Sequence, residues 1–439
     1  MKLRELIIAA VVLAALSGAL YWSNHHKTAE KSAGPSASVT PVVLKMDQNA
    51  IVQVSLARRG TAPTTVVKDA GGKWEIGEPQ AYAADQDAVS GVLSNLSSLN
   101  ADRVVDEKAT DFGQYGLDDP AVTATIETTD HKERKLLIGD DTPAGGDVYA
   151  MVAGEPRVFT IASYNKSSID KDANDLRDKR LVTMEPDKVS RVSLERKGQT
   201  IELARINIGG GNGWQITKPK LLRADGFQVD EFVRSVTDAR MDLTGEDSNG
   251  AASGFAKGTK VATVTLTGDN GTQTLDVRKN KDEDYAKSST VVGVYKVDAS
   301  LGTAVDKGLE DFENKKLFDF GFEEPNKIEL HDGAKAWYLV RSGEDWWWNG
   351  KKMDAASVEA LVEGLRELAA TSIPDAGFKS VDIEAVVTSG DGKRVERVQI
   401  SKAADKCVAR RENEPELYEL SAKAVNDLET TANGVKAGK

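Results

Sequence analysis

The chain has 439 residues, 40% hydrophobic and 29% charged, which is enough apolar material for packed cores and too much for a disordered polymer. With 57 basic and 69 acidic side chains its formal charge is −12, which argues against a nucleic-acid partner, because phosphate binding needs clustered Lys and Arg. Its single cysteine excludes a disulfide framework and any multi-cysteine metal site.

Residues 6–22 are apolar and uncharged, with Lys2 and Arg4 before them and Tyr21-Trp22 at the far end. This predicts a transmembrane anchor, with the aromatic pair at the interface and residues 1–5 in the cytoplasm. The competing reading is a cleaved secretory signal, with small residues at Ala15, Ser17 and Ala19. Either way the bulk of the chain is expected in the periplasm, single-pass on the inner membrane or released from it. A polar linker follows over residues 23–45, rich in Ser, Ala and Pro. All of the net negative charge lies beyond residue 27.

From there the chain repeats itself. A strand opening recurs as Val54-Ser55-Leu56, Val192-Ser193-Leu194 and Ile328-Glu329-Leu330. A Trp-x-apolar pair follows: Trp74/Ile76, Trp214/Ile216 and Trp346/Trp348. Next comes a helix behind an Asp in N-cap position (Asp85, Asp225, Asp354). Its apolar stripe keeps one spacing in all three copies: Val89, Val92, Leu93, Leu96, Leu99; Val229, Phe232, Val233, Val236, Ala239; Val358, Leu361, Val362, Leu365, Leu368. Gly116-Leu117, Gly254-Phe255 and Gly377-Phe378 then precede two period-2 runs joined by a polar turn. The first two copies close on Asp175-Leu176-Arg177-Asp178-Lys179-Arg180-Leu181 and Asp311-Phe312-Glu313-Asn314-Lys315-Lys316-Leu317. The pattern predicts an α+β fold, a tandem repeat of antiparallel sheets with one helix each, over residues 46–185, 186–322 and 323–432, the third truncated.

Several of these stretches together resemble the bacterial family called domain of unknown function 4340. They are Trp74-x-Ile-x-x-Pro79, Tyr115-Gly116-Leu117-Asp118-Asp119-Pro120, Ile138-Gly139, Tyr149-Ala150 and Leu176-Arg177-Asp178-Lys179. The likeness covers roughly residues 40–320 as two units, with a weaker third to about 430. The later copies lack the proline after the Gly-apolar pair. The resemblance implies a bacterial, membrane-anchored, exported protein, some of whose relatives are encoded beside ABC-transporter components similar to those of gliding-motility systems. It implies no catalytic residue.

The search for chemistry returns little. No Gly-x-x-x-x-Gly-Lys-Ser/Thr loop is present, and Gly209–Gly213 reads as a hairpin tip. His25 and His26 flank the apolar segment, while His131 and His331 fall at hairpin ends in different copies. Cys407 reads as a half-buried strand residue. Asp170-Lys-Asp172-Ala-Asn174-Asp175 imitates the start of an EF-hand loop but lacks its sixth-position Gly and twelfth-position Glu. One feature exceeds the needs of the repeat: in Trp346-Trp347-Trp348, period 2 turns Trp347 outward, where earlier copies have Glu75 and Gln215. Trp347, together with Trp337, is a candidate contact for a partner or a glycan, the competing reading being that the Trp347 ring lies under a neighbouring loop or copy. No cofactor, metal or catalytic residue is assigned. The expected role is a non-enzymatic scaffold or accessory protein of a cell-envelope complex with protein partners, the alternatives being a glycan- or polymer-binding module and an envelope-polymer hydrolase.

Overall fold

The computed structural model describes residues 41–208, 211–244, 248–321, 323–403 and 405–438. The expected membrane segment lies outside the described residues; among those described, no helix is long and apolar enough to cross a membrane.

Three large antiparallel sheets, of nine, eight and eight strands, carry the described chain in α+β fashion. Eight strands follow one order in all three, and the first sheet adds Arg103–Asp106 at its edge. The opening strand (Ile51–Arg58, Val189–Arg196, Lys327–Asp332) lies in the middle of its sheet. On one side it pairs with its hairpin partner, and on the other with the strand that opens the second meander (Val122–Thr128, Thr259–Gly268, Ile383–Ser389). Each sheet is thus two meanders joined at a central pair, with the helix crossing between them over one face.

The helices form where the caps place them. Asp85 accepts the amides of Asp87 and Ala88, Asp225 those of Phe227 and Gln228, and Asp354 that of Ser357. Each cap satisfies amides that the first helical turn leaves without partners. The expected stripes are buried, and each lies in the core of its own sheet. A second, closing helix ends every module: Ser163–Ile169, Ala299–Val305 and Ala422–Gly434. The third module, expected to be truncated, carries this helix as well. The Asp-to-Leu segments of the first two modules lie beyond their closing helices; the third module's closing helix is the longest of the three and buries Val425, Leu428 and Ala432. Beyond it Ala437 pairs with Met353, as Arg177 pairs with Ala84 and Glu313 with Ala224.

The chain divides at Asp178/Lys179 into two compact units, the first holding the nine-stranded sheet and the second the two eight-stranded sheets. Residues 179–181 already belong to the second module: the Met241 amide donates to Lys179 O at 2.8 Å and the Leu181 amide to Ala239 O at 3.2 Å. Within the second unit, the segment 312–317 is bonded on both sides. Asp225 and Asn314 amides tie it to the second module through Phe312 O and Arg223 O. Leu317 and Ala370 amides tie it to the third through Leu368 O and Lys315 O.

Candidate functional site

The strand Asp345–Trp348 alternates as its sequence predicts. Trp346 is buried, Trp348 packs against the core and Trp347 turns outward at 39% exposure. Trp337 does not join it. It is 6% exposed and belongs to the core, because strand alternation puts it on the same face as buried Leu339. The residues that do share the outer face with Trp347 are Tyr338 and Val340, exposed by 44% and 46%. Val340 sits directly opposite Trp347 and beside Lys327, while Tyr338 sits beside Glu329. The Tyr338 hydroxyl meets His331 Nε2 at 3.1 Å, their rings edge to face at 5.2 Å. The Lys327–Glu329 and Lys352–Asp345 ion pairs border the patch. At the Trp347–Val340 position the first module has Glu75 opposite Val67 and the second Gln215 opposite Ala204. Only the third module places a large aromatic ring there.

The EF-hand imitation has a structural explanation. Arg58 points its guanidinium into the loop, binding Asp170, Asp172 at 3.2 Å and Asp175 at 3.6 Å. Asp172 and Asp175 form a reciprocal capping box on the short helix Ala173–Leu176. The second module repeats the device: Arg196 binds Asp306, and the Gly308 amide donates to Asp311 at 2.7 Å. A side-chain cation therefore stands where an EF-hand would hold its metal, fastening the opening strand to the end of the closing helix. Among the described residues no group of three or more acidic, His or Cys side chains is placed to hold a metal ion.

The glycines of the Gly-apolar pairs are also explained by packing. Gly116 has φ 66° and lies against the Asp140 carboxylate, while Gly139 admits the Tyr115 carbonyl so closely that a Cβ would overlap it. Leu117 then fills a small cluster with Ala109, Met151 and Val158 on the far side of the sheet. Gly254 meets the Tyr285 ring in the same way.

The densest polar cluster lies within the second unit. Arg223 binds Asp319, Glu414 at 3.1 Å and the Tyr418 hydroxyl at 3.2 Å. Arg411 binds the same Asp319 at 3.3 Å, Glu414 at 2.9 Å and Glu396 at 3.2 Å. Burial would raise Asp319, but Arg223 and Arg411 outweigh it and hold the carboxyl below its ordinary range. Burial, with Glu414 adding to it, pushes the Tyr418 hydroxyl up to about 12. Nothing in the local pattern around Leu222-Arg223 signals this cluster, because its other members follow 90 or more residues later.

Cys407 is fully buried, in strand register with Val148 of the first module and Asp284 of the second. His131 is exposed and contacts Glu127 at 3.1 Å. His25 and His26 lie outside the described residues.

The fold and its surfaces define a class: serial sheet-and-helix modules, each with its own core. The chain belongs to the family described as domain of unknown function (DUF4340), whose model matches residues 74–210 and 214–386. Both matched segments begin at the tryptophan of the Trp-x-Ile strand, so the family repeat is phased one hairpin later than the structural module. No curated protein and no solved structure matches the chain.

Proposed function

We propose that this protein is a membrane-tethered, non-enzymatic scaffold of the bacterial cell envelope, with the Trp347 face of its third module docking a protein partner. The observation that carries it is the contiguous Trp347–Val340–Tyr338 surface at positions where a sibling module needs no aromatic side chain. Exposed rings grouped with an aliphatic neighbour and bordered by ion pairs have the make-up of an interface centre. The tether and the envelope setting rest on the apolar stretch 6–22 and its flanking charges. Association with an ABC-type transporter follows from the family resemblance. A photo-crosslinker in place of Tyr338, in intact membranes, is expected to capture an envelope protein. Trp347→Ala should abolish that capture while shifting stability by no more than about 0.5 kcal/mol, as for a surface substitution. A large fall in the unfolding midpoint would instead make Trp347 part of the packing and end this reading.

The exposed Trp347 ring also suits a sugar face, which makes glycan binding the second reading. Retention of the full chain by purified peptidoglycan, lost in Trp347→Ala, would favour it. Turnover of an envelope polymer, abolished by a single Asp→Asn or Glu→Gln change, would favour a hydrolase.

A further inference from the structure

The second module carries a cationic recess in a chain whose net charge is strongly negative. Lys197, Lys260, Lys279 and Lys281 line a cavity of about 370 Å³ with Thr259, Val261 and Asp306. Lys197 and Lys281 come from turns, with φ 48° and 57°, where glycine would be the less costly residue. Asp306 is already engaged by Arg196, whose hydrogen bond holds the carboxyl below its ordinary range. Lys197 reaches it only at 3.9 Å, and Lys260 reaches Glu195 only at 3.8 Å. Among the described residues, Lys279 and Lys281 make no ion pair, although Lys279 faces the buried Asp284 across the ladder.

The siblings treat the same corner differently. Strand register aligns Ile138, Val277 and Ile400, paired respectively with Val122, Ala262 and Ile383. Two residues further along are Asp140, Lys279 and Lys402. In the first module Asp140 and Asp119 bracket Arg59 at 3.7 and 3.0 Å. In the third, Lys402 is held between Asp332, at 2.8 Å, and Glu429. Both corners are internally balanced. The second module's corner is held more loosely: Lys197 and Lys260 reach carboxylates only at 3.9 and 3.8 Å, and Lys279 and Lys281 make no ion pair among the described residues, so an anion entering the recess meets four ammonium groups.

We propose that this recess binds an anion carrying several phosphate groups. Lysine suits such a ligand because its ammonium is a compact charge with three rotatable donors, which needs no fixed fork geometry. The shared chemistry is clustered phosphate, supplied by a soluble oligophosphate or by anionic lipid headgroups.

Titration calorimetry of the full chain in a non-ionic detergent tests it, with sodium tripolyphosphate as the probe. Saturable binding is expected, weakening steeply between about 50 and 200 mM salt. Lys260→Gln with Lys281→Gln should weaken it by about tenfold or more, while Lys132→Gln, an exposed lysine of the first module, leaves it unchanged. Lys279 is left in place because it also faces Asp284, and an unaltered unfolding midpoint shows that the double variant is folded. Displacement of the probe by water-soluble dihexanoyl phosphatidylglycerol identifies headgroups as the source; failure to displace it identifies a soluble phosphate, and either supports the site. Absence of saturable heat, equal weakening by Lys132→Gln, or tighter binding of poly-glutamate than of tripolyphosphate would each overturn the proposal.

Discussion

Replacing Arg223 with methionine is expected to destabilise the second unit by about 3–5 kcal/mol, the usual consequence of removing one partner from a buried ion pair. The side chain is mostly buried, and its loss leaves Asp319 and Glu414 to share Arg411 while the Tyr418 hydroxyl keeps only Glu414. Arg223 also donates to Lys316 O at 2.6 Å, so the change loosens the doubly bonded segment 312–317 as well. Hydrogen exchange followed by mass spectrometry gives the regional readout. Peptides spanning 312–319 and 411–420 should lose protection, while those over Ile51–Arg58 in the first unit keep theirs. Unchanged protection in both regions, with an unchanged midpoint, would mean that the cluster is hydrated and contributes little.

That cluster also shows which parts of the molecule could be read in advance. The Asp caps, the helix stripes and the alternation of Trp346, Trp347 and Trp348 are local signals, set by spacings of two to four residues, and each reappears in the structure. Trp337 and Trp347 are alike in residue type but not in strand position. The alternation Lys335-Ala-Trp-Tyr-Leu-Val, read strictly, already puts Trp337 with Leu339 and sends Tyr338 and Val340 outward. The Asp-to-Leu segment follows the closing helix in the first two modules and is no part of it, so in the third only the apolar positions Val425, Leu428 and Ala432 could have revealed the helix. Arg58 with Asp170, and Arg223 with Asp319, are separated by 112 and 96 residues. No periodicity links such partners; they meet because the sheet order returns distant strand ends to one corner.

Asp284 shows the same effect in a single buried residue. Its ladder position is filled by Val148 in the first module and by Cys407 in the third, yet here a carboxylate at 1% exposure takes it. Oδ1 has no hydrogen-bond partner, and Oδ2 lies so close to Gly302 that a Cβ there would overlap it. Burial, aided by Asp298, pushes the group above its ordinary range, against the opposing pull of Lys279 and the Gly302 amide. A carboxyl raised in the folded state contributes its stability below the unfolded value of about 4, and that contribution is lost as pH rises through the folded value. Asp319 has the opposite linkage: it is lowered by its arginines, so its contribution is present above about pH 4 and lost as pH falls through the folded value. Asp284→Val should therefore raise the stability of the second unit at pH 7 by about 1–3 kcal/mol, the cost of burying an unsatisfied polar group. The gain should shrink as pH falls through the folded value of Asp284, while Asp319 contributes to the acid limb with the opposite sign. Thermal melts of both proteins from neutral to acid pH measure the difference. A lower midpoint for Asp284→Val at pH 7 would mean that attraction to Lys279 outweighs desolvation, and that the charge at this position holds the strand in place.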